Sequence, residues 1–370
     1  IVLFSVGCSI DARITSLGSG QSSLINSPGS SDVPAVITPP AVSKPSGDPF
    51  FNGSVDNMKI DSLGNRIFAG SFTHFAFNKK NYISKIARLN NDGSLDETFN
   101  TGLGFNSSVR KMILNSSQEI ILTGGYSSFN ASLANKIMKI LPSGSVEPSF
   151  APGIYDNVFD LALTSDQKVI AIGNFYYWST VANSQESIVR INPDGTRDTS
   201  FTIGSSFNPV QTATTLAIQS DGKIVIGGNF NSYSGNSSPK IVRLNSNGTY
   251  DNTFITGTGF NGAVNDVAVL SDGSIVVVGD FTSYNGTTGV NRIAKLSASG
   301  VLESAFKINV GSGFVSSVRV VKEIPGVGIM VGGAFGSFNG STANGIVCLT
   351  LNGNLCSGIS LGIGATFVDQ

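Results

Sequence analysis

Several residue types are scarce in this chain, and each scarcity excludes a class of function. The 370 residues include one histidine, His74, and three cysteines, Cys8, Cys348 and Cys356. A single histidine excludes histidine-rich metal sites and leaves only one possible Ser-His-Asp arrangement. Charged residues make up 13% of the chain and the formal net charge is −1, so there is no basic field to attract nucleic acid. No apolar run is long enough to cross a membrane as a helix.

Glycine, in contrast, is abundant. The chain has 44 glycines, with many serine, threonine and asparagine residues and short runs of valine, isoleucine and phenylalanine. This composition is typical of short strands joined by tight turns, and no long segment repeats its apolar residues with the period of a helix. We therefore predict an all-β protein.

The first residues, IVLFSVGCS, resemble the end of a bacterial lipoprotein signal. In that family the peptide is cut before the cysteine, whose sulfur receives a diacylglyceryl group. The resemblance implies that residues 1–8 are the remnant of a signal with Cys8 as the lipidation site. It also implies export to the bacterial outer membrane or cell surface, with membrane contact through the lipid anchor only. A short buried strand is the alternative. Residues 9–47 are rich in serine, proline and glycine, which predicts a flexible linker.

A twelve-residue segment recurs six times along the chain. It reads RLNNDGSLDETF at 88–99 and RLNSNGTYDNTF at 243–254, and the sixth copy is CLTLNGNLCSGI at 348–359. One glycine is common to all copies, as expected where a hairpin turn needs a residue with positive φ. These turn glycines are Gly93, Gly144, Gly195, Gly248, Gly300 and Gly353.

A second motif precedes the first in every copy. A glycine is followed two places later by an aromatic residue and three places after that by another, as in GNFNSY and GDFTSY. A glycine within a strand indicates a bulge or a close approach of another backbone segment, and we expect the aromatics to pack between neighbouring sheets. The glycines are Gly70, Gly124, Gly173, Gly228, Gly279 and Gly333, and the second aromatics are Phe75, Phe129, Trp178, Tyr233, Tyr284 and Phe338.

Each copy contains four segments with strand character. The fourth copy shows them best: TTLAIQ, KIVIGGNF, KIVRLN and TYDNTF. Four antiparallel strands in each of six repeats predict a six-bladed β-propeller of four-stranded antiparallel blades, although the sequence leaves open how the ring closes. The predicted domain covers residues 48–370, with repeats at about 51–102, 103–153, 154–204, 205–257, 258–311 and 312–364.

The repeats resemble a named family, the delta-60 repeat, which is a bacterial propeller-forming domain of unknown function. The shared motif is [IV]-x-G-x-F-x-x-[FY] followed by R-L-N-x-D-G-x-x-D-x-T-F, and it is fullest at 88–99 and 243–254. Copies two and six depart furthest, with Ser143 in place of the turn aspartate and Ile359 in place of the final phenylalanine. The resemblance implies a secreted or surface protein and brings no catalytic residues.

The turn glycine also fixes which residues face each other across the hairpin. The residue five places before it lies opposite the residue three places after it. In the sixth copy these are Cys348 and Cys356, so we expect a disulfide there, which would require export; two reduced thiols are the alternative. In the other five copies a base faces an acid, namely Arg88 and Asp96, Lys139 and Glu147, Arg190 and Asp198, Arg243 and Asp251, and Lys295 and Glu303.

The first strand of each repeat is expected to line a central channel, and its early residues vary most between copies. We assign a small-ligand or glycan site there to Asp56, Lys111, Asp160 and Asp266, with the last two carboxylates as acceptors and the lysine as a donor. An ordinary solvated channel mouth is the alternative.

Two adjacent tyrosines stand where other copies carry mostly small polar residues. Tyr176 and Tyr177 are assigned to the ligand site because exposed aromatic rings can stack on sugars, with contact to the next blade as the alternative. No residue is assigned a catalytic or metal-binding role, and no cofactor is expected. His74 aligns with serine in most copies, which indicates a loop substitution rather than a catalytic base.

The leading functional hypothesis is a non-enzymatic cell-surface binding or scaffold module. On this hypothesis, a lipid-anchored propeller presents a ligand-binding face to an unidentified protein or glycan. One alternative is a six-bladed propeller hydrolase or lactonase that holds a metal with its channel carboxylates. Another is a structural spacer. Nucleic acid is not an expected partner.

Overall fold

Strands dominate the part of the chain that can be described. The computed structural model describes residues 51–75, 85–177, 184–207 and 212–357; Cys8, the predicted signal and the predicted linker lie outside these ranges. Six three-stranded antiparallel sheets follow one another within them, one for each repeat, and we number them sheets 1 to 6. In each sheet the second strand lies between the first and the third. The all-β prediction is confirmed.

The strand bounds repeat closely from sheet to sheet. The first strands are Val55–Ile60, Val109–Leu114, Ile154–Leu163, Thr212–Ile218, Val264–Val269 and Val318–Ile324. The second strands are Arg66–Gly70, Ile120–Gly124, Val169–Tyr177, Ile224–Asn229, Ile275–Gly279 and Gly328–Gly333. The third strands are Ile86–Leu89, Ile137–Ile140, Ser184–Ile191, Ile241–Leu244, Ile293–Leu296 and Ile346–Leu349.

Small elements fill the loops between second and third strands. They are two-residue hairpins in sheets 2, 4, 5 and 6, formed by Ser128–Phe129 with Ser132–Leu133, Ser232–Tyr233 with Asn236–Ser237, Ser283–Tyr284 with Thr287–Thr288, and Ser337–Phe338 with Ser341–Thr342. One short helix, Ser304–Val310, follows sheet 5. None of the described helical structure is long and apolar enough to span a membrane.

The predicted fourth strand is reduced to a single bridge, so four-stranded blades are not confirmed. In the first repeat the bridge joins Leu89 to Leu95, after which Oδ1 of Asp96 accepts hydrogen bonds from the backbone N and Oγ1 of Thr98 at 2.9 and 2.6 Å. This side-chain turn directs the chain away from the sheet before a second bridge can form. We call the third strand, its turn and this bridged segment the outer hairpin.

The motif glycine of each second strand faces a bulge in the first strand, which confirms the expected role. In sheet 5, Gly279 pairs with Val264 and the register then shifts, leaving Asn265 as the extra residue. A Cβ at Gly279 would lie 2.1 Å from the carbonyl oxygen of Ala263, and the five equivalent glycines show the same approach at 2.1 to 2.4 Å. Only glycine accommodates a backbone this close.

The aromatic motif does pack between neighbouring sheets. In sheet 6 the rings of Phe335 and Phe338 lie 4.4 and 4.7 Å from the ring of Phe314, which precedes the first strand. All three belong to one hydrophobic cluster with Val278 and Ile293 of sheet 5. Each of the five boundaries between consecutive sheets has a shared cluster of this kind. The remaining faces of sheets 1 and 6 form separate clusters.

The outer hairpins connect consecutive sheets through their basic residues. Nη1 of Arg88 donates to the carbonyl oxygen of Pro142, in the turn of the next repeat, at 2.8 Å. In sheets 1 to 5 a basic side chain therefore joins the sheet to the turn of the next repeat. The corresponding contacts join Lys139 to Pro193, Arg190 to Ser246, Arg243 to Ala298 and Lys295 to Leu351.

The predicted partners across the hairpin are largely confirmed. Ion pairs form in four of the five charged copies, at 2.7 Å for Arg88–Asp96, Arg190–Asp198 and Arg243–Asp251 and at 3.4 Å for Lys295–Glu303. Lys139 pairs instead with Glu119, at 3.3 Å. In the sixth copy Cys348 and Cys356 form the expected disulfide, with Cα atoms 5.4 Å apart.

Replacing a bulge-facing glycine should destabilise the fold. In Gly333→Ala the new methyl group would lie 2.4 Å from the carbonyl oxygen of Ser317, so we expect the free energy of unfolding to fall by about 1 to 3 kcal/mol. Gly336→Ala is the matched control, since a Cβ at that position would have no atom within 4 Å. Urea denaturation of both variants tests this, and an equal effect of the two substitutions would contradict it.

Candidate functional site

The first strands form the inner surface of the molecule. First strands of consecutive sheets contact one another directly, as expected for the innermost strands of radially arranged sheets. We call the side chains of these six strands the inner surface. The bulge in each first strand gives a common reference point, so equivalent residues of the six strands can be compared. The bulge residues are Asp56, Arg110, Phe159, Thr214, Asn265 and Arg319, and the next residues are Asn57, Lys111, Asp160, Thr215, Asp266 and Val320.

Two of the predicted ligand residues contact each other on this surface. Nζ of Lys111 in sheet 2 lies 2.6 Å from Oδ1 of Asp160 in sheet 3, which is buried. The second oxygen of Asp160 accepts a hydrogen bond from the backbone N of Leu216 in sheet 4 at 2.9 Å. Burial alone would lower the pKa of Lys111, but the carboxylates of Asp160 and Asp266 raise it overall. The pair therefore connects three consecutive sheets.

Asp266 makes a similar connection between sheets 4, 5 and 6. Its Oδ1 accepts hydrogen bonds from Oγ1 of Thr215 and the backbone N of Val267, and its Oδ2 accepts one from the backbone N of Val321, each at 2.9 Å. Burial raises the pKa of this carboxyl to about 6, against the opposing effect of Lys111. Both oxygens of Asp160 and of Asp266 thus have partners within the protein, and their predicted role as ligand acceptors stays a prediction.

Asp56 lies apart from this group, at the bulge of sheet 1. Its Oδ1 is buried without a hydrogen-bond partner, and burial raises the pKa of the carboxyl despite the side chains of Ser54 and Arg110. A cluster of three or more His, Cys, Asp or Glu side chains suited to a metal ion is not found among the residues that the structure describes. Asp56 is therefore the predicted carboxylate with an unused oxygen.

The predicted Tyr176 lies at a different place, near the end of the central strand of sheet 3. Tyr176 is 44% exposed and lies directly opposite Tyr155, which is 47% exposed, in the pairing of the second and first strands. Asn174 and Asn157 form the next same-face pair and are also exposed. The side chain of Tyr177 lies outside the described residues.

Sequence reasoning missed three residues of these surfaces. Tyr155 could have been found from the pairing register, because it faces Tyr176 once the bulge is counted. Lys59 and Lys322 share one position of the inner surface where the other repeats have isoleucine or alanine. A comparison of that column between repeats would have shown both lysines as departures.

The high pKa of Asp266 predicts a measurable pH dependence of stability. Between about pH 4 and 6 the unfolded chain releases the proton of this carboxyl while the folded protein retains it, so stability falls as the pH rises. From pH 4 to 7 we expect native protein to lose about 2 to 3 kcal/mol relative to Asp266→Asn. Chemical denaturation across this range measures the difference.

Asp280→Asn removes an exposed carboxyl of the same sheet and controls for the loss of a charge. If the stabilities of native protein and Asp266→Asn changed in parallel with pH, the prediction would be contradicted.

Three solved structures are similar to this chain in fold. A catalytically inactive virginiamycin B lyase from Staphylococcus aureus with quinupristin has a TM-score of 0.47 and 16% identity, covering 87% of this chain and 89% of that one. PorZ, a surface component of the type-IX secretion system of Porphyromonas gingivalis, has a TM-score of 0.43 and 9% identity, covering 75% and 37%. A gluconolactonase from Xanthomonas campestris has a TM-score of 0.40 and 11% identity, covering 78% and 96%.

The comparison with families gives a direct match. No curated protein matches the chain. Six segments match the family described as "Domain of unknown function (DUF5122) beta-propeller", at residues 67–99, 119–150, 164–201, 219–254, 270–306 and 329–358. Each segment spans the second and third strands and the outer hairpin of one sheet. The chain therefore belongs to the DUF5122 β-propeller family.

Proposed function

We propose that this protein is a non-enzymatic binding module that presents an aromatic surface to a glycan outside the cell. The observation that carries the proposal is the exposed pair of Tyr155 and Tyr176 on sheet 3. Directly opposed residues in an antiparallel pair hold their Cβ atoms about 5 Å apart, so the two rings form one continuous surface. We call this pair, with Asn157 and Asn174, the tyrosine platform.

In sheets 1, 2 and 5 the equivalent place is closed by a polar pair. In sheet 1, Nδ2 of Asn52 donates to Oγ1 of Thr73 at 2.9 Å, and Oδ1 of the same asparagine accepts from the backbone N of Thr73 at 2.8 Å. Sheets 2 and 5 repeat the side-chain contact, with Asn106 and Ser127 at 3.0 Å and Asn261 and Thr282 at 2.9 Å. Sheet 3 has two exposed rings at this place instead of the asparagine and the hydroxyl residue.

The strands beneath the platform are also longer than elsewhere. The first strand of sheet 3 has 10 residues and the second has 9, whereas the first strand of sheet 1 has 6 and the second has 5. The added length carries Tyr155 and Tyr176 on paired backbone instead of on a loop. Tyrosine supplies a large, rigid contact area with a polar hydroxyl, and the amides of Asn157 and Asn174 add donors and acceptors. Nδ2 of Asn157 donates to Oδ1 of the exposed Asp156 at 2.7 Å, so the rings lie beside both amide and carboxylate oxygens, which suit the hydroxyl groups of sugars.

The inner carboxylates favour binding over hydrolysis as the function. An enzyme of the hydrolase or lactonase type would need carboxylate oxygens free to hold a metal. Asp160 and Asp266 use both of their oxygens to connect neighbouring sheets. Metal analysis of protein prepared without chelators separates the two functions, because a stoichiometric divalent ion would favour the enzyme.

We further propose that the six sheets are the blades of one closed ring. The pKa of Lys59 in sheet 1 is lowered to about 8 by burial and by the charges of Lys111 and Lys322, and the effect of Lys322 from sheet 6 supports this arrangement. Cys348 of the disulfide occupies the position at which the other repeats have a basic residue, and that residue donates to the turn of the next repeat, as Lys295 does to Leu351. A covalent bond stabilises the outer hairpin of sheet 6 at this place.

The glycan proposal predicts that the platform can be removed without damage to the fold. The double variant Tyr155→Asn/Tyr176→Thr installs the polar pair of sheets 1 and 5, and we expect it to weaken glycan binding at least about tenfold, since each lost aromatic contact is worth about 1 kcal/mol or more. A glycan array followed by calorimetry on the strongest hit measures this. The thermal midpoint checks that both proteins are folded. The proposal would be contradicted if the native protein bound none of the glycans, or if the double variant bound the strongest hit as tightly as the native protein does.

The disulfide indicates an exported protein, and we propose that a lipid on Cys8 anchors it at the outer membrane or cell surface. In the native bacterial host, Cys8→Ser should move the protein from the membrane fraction to the soluble fraction, because one diacylglyceryl group supplies the attachment. Fractionation with mass spectrometry of the mature N-terminus measures both points. Cys348→Ser with Cys356→Ser serves as the control for loss of cysteine. If mass spectrometry finds Cys8 without a lipid, this part of the proposal is wrong.

A further inference from the structure

A cavity of about 450 Å³ lies between the outer hairpin of sheet 5 and the short helix that follows it. Three parts of the chain line it: the link between sheets 4 and 5 with Ile255, the turn of the outer hairpin with Val301, and the helix with Lys307 and Ile308. The buried ring of Tyr284 forms part of its wall. Small ligands occupy cavities of about 300 to 1,000 Å³, so the volume suits a small molecule. We call this space the sheet 5 cavity.

Sheet 2 has a cavity of about 470 Å³ at the equivalent place. Its lining differs at two positions, where Asn100 and Ser145 of sheet 2 replace Ile255 and Val301 of sheet 5. The other described repeats also have small or polar residues at these two positions. They are Ala151, Thr202 and Lys307 at the first, and Ser94, Thr196, Thr249 and Asn354 at the second. The scaffold therefore forms the cavity, and sheet 5 makes it apolar.

The apolar side chains around the sheet 5 cavity are exposed to water. Ile255, Val301 and Ile308 are each more than half exposed. Single exposed apolar residues are ordinary, but several around one cavity mark a binding site. The helix that carries Ile308 is an addition to the repeat, because the link from Phe306 to Phe314 has seven residues and the link from Phe254 to Phe260 has five.

Lys307 places one positive charge beside these apolar residues. Its side chain is half-buried and reaches from the helix to the small hairpin of sheet 5, since a Cβ at Gly289 would lie 3.8 Å from Nζ. Within the ranges that the structure describes, the ammonium group makes no hydrogen bond or ion pair. The described lining of the cavity includes no Asp or Glu. A ligand with a negative charge would therefore complement the site.

We propose that the sheet 5 cavity binds a small carboxylic acid with an apolar chain, such as a short fatty acid. The chain would remove the side chains of Ile255, Val301 and Ile308 from water, which is favourable in proportion to the apolar area buried. The carboxylate would accept a charge-assisted hydrogen bond from Nζ of Lys307. This site is separate from the tyrosine platform on sheet 3, so loss of one leaves the other intact.

Calorimetry on the full chain at constant ionic strength tests the site with three probes. Octanoate has both the chain and the carboxylate, 1-octanol has the chain alone, and acetate has the carboxylate alone. We expect octanoate to bind at least about tenfold more tightly than either of the other two probes, because only octanoate uses both the apolar wall and Lys307.

Two variants each remove one part of the site. Ile255→Thr/Val301→Ser installs residues found at these positions in repeats 3 and 2, and it should weaken octanoate binding about tenfold or more through the loss of apolar contact. Lys307→Met should weaken octanoate binding about tenfold and not weaken the binding of 1-octanol. Leu133→Ser, in the cavity of sheet 2, is the matched control and should bind octanoate as the native protein does. The thermal midpoint checks that every variant is folded.

Three results would overturn the proposal. The first is octanoate binding no tighter than that of acetate or 1-octanol. The second is octanoate binding that is unchanged in both Ile255→Thr/Val301→Ser and Lys307→Met. The third is a native protein that sediments as a dimer and becomes a monomer in Ile308→Ser, because the exposed apolar residues would then belong to an interface between two copies of the chain.

Discussion

The contact between each basic residue of an outer hairpin and the turn of the next repeat is the interaction on which the stacking of sheets depends. Arg243 shows it most completely: its guanidinium donates to the carbonyl oxygen of Ala298, pairs with Asp251 at 2.7 Å and lies 4.7 Å from the ring centre of Phe254. The side chains of Arg243 and Asp251 are only 6% and 4% exposed. Burial alone would raise the pKa of Asp251, but hydrogen bonds from Thr253, Lys223 and Arg243 hold it well below its usual range. Removal of either partner would leave a buried charge, which is strongly destabilising.

This arrangement explains why the residues of the repeat motif occur together. The base, the acid and the final phenylalanine form one unit at the boundary between two sheets. The turn glycine belongs to the same unit, because a Cβ at Gly300 would lie 3.1 Å from the ring of Phe254 in the preceding repeat. Most of the motif residues therefore make contacts between repeats and not only within one repeat. The motif recurs along the sequence because the same contact between neighbouring sheets recurs in the fold.

The sequence predicted those parts of the fold that depend on backbone conformation within one repeat. The turn glycines such as Gly93, with φ of 90°, the bulge facing Gly279 and the disulfide of Cys348 and Cys356 all follow from local spacing. The fourth strand was overestimated, because a capping carboxylate such as Asp96 ends the pairing after one bridge and this effect competes with strand propensity.

The partners on the inner surface could be predicted less well. The sequence placed Lys111, Asp160 and Asp266 on the first strands, but their contacts depend on how one sheet is staggered against the next. The backbone donors of Leu216 and Val321, which occupy the two carboxylates, carry no signal in a sequence pattern. The segments that match the family also omit the first strands. The family match thus covers the second and third strands and the outer hairpins, and the inner surface lies outside it.

Cys348 has one more consequence, for assembly. A donor at its position would be free to reach the carbonyl oxygen of a turn from another molecule, as Lys295 reaches Leu351 within this one. A sulfur bonded to Cys356 has no hydrogen to donate and no charge. The outer hairpin of sheet 6 therefore lacks the basic donor with which the other outer hairpins hold a turn, so it offers a second molecule no equivalent contact.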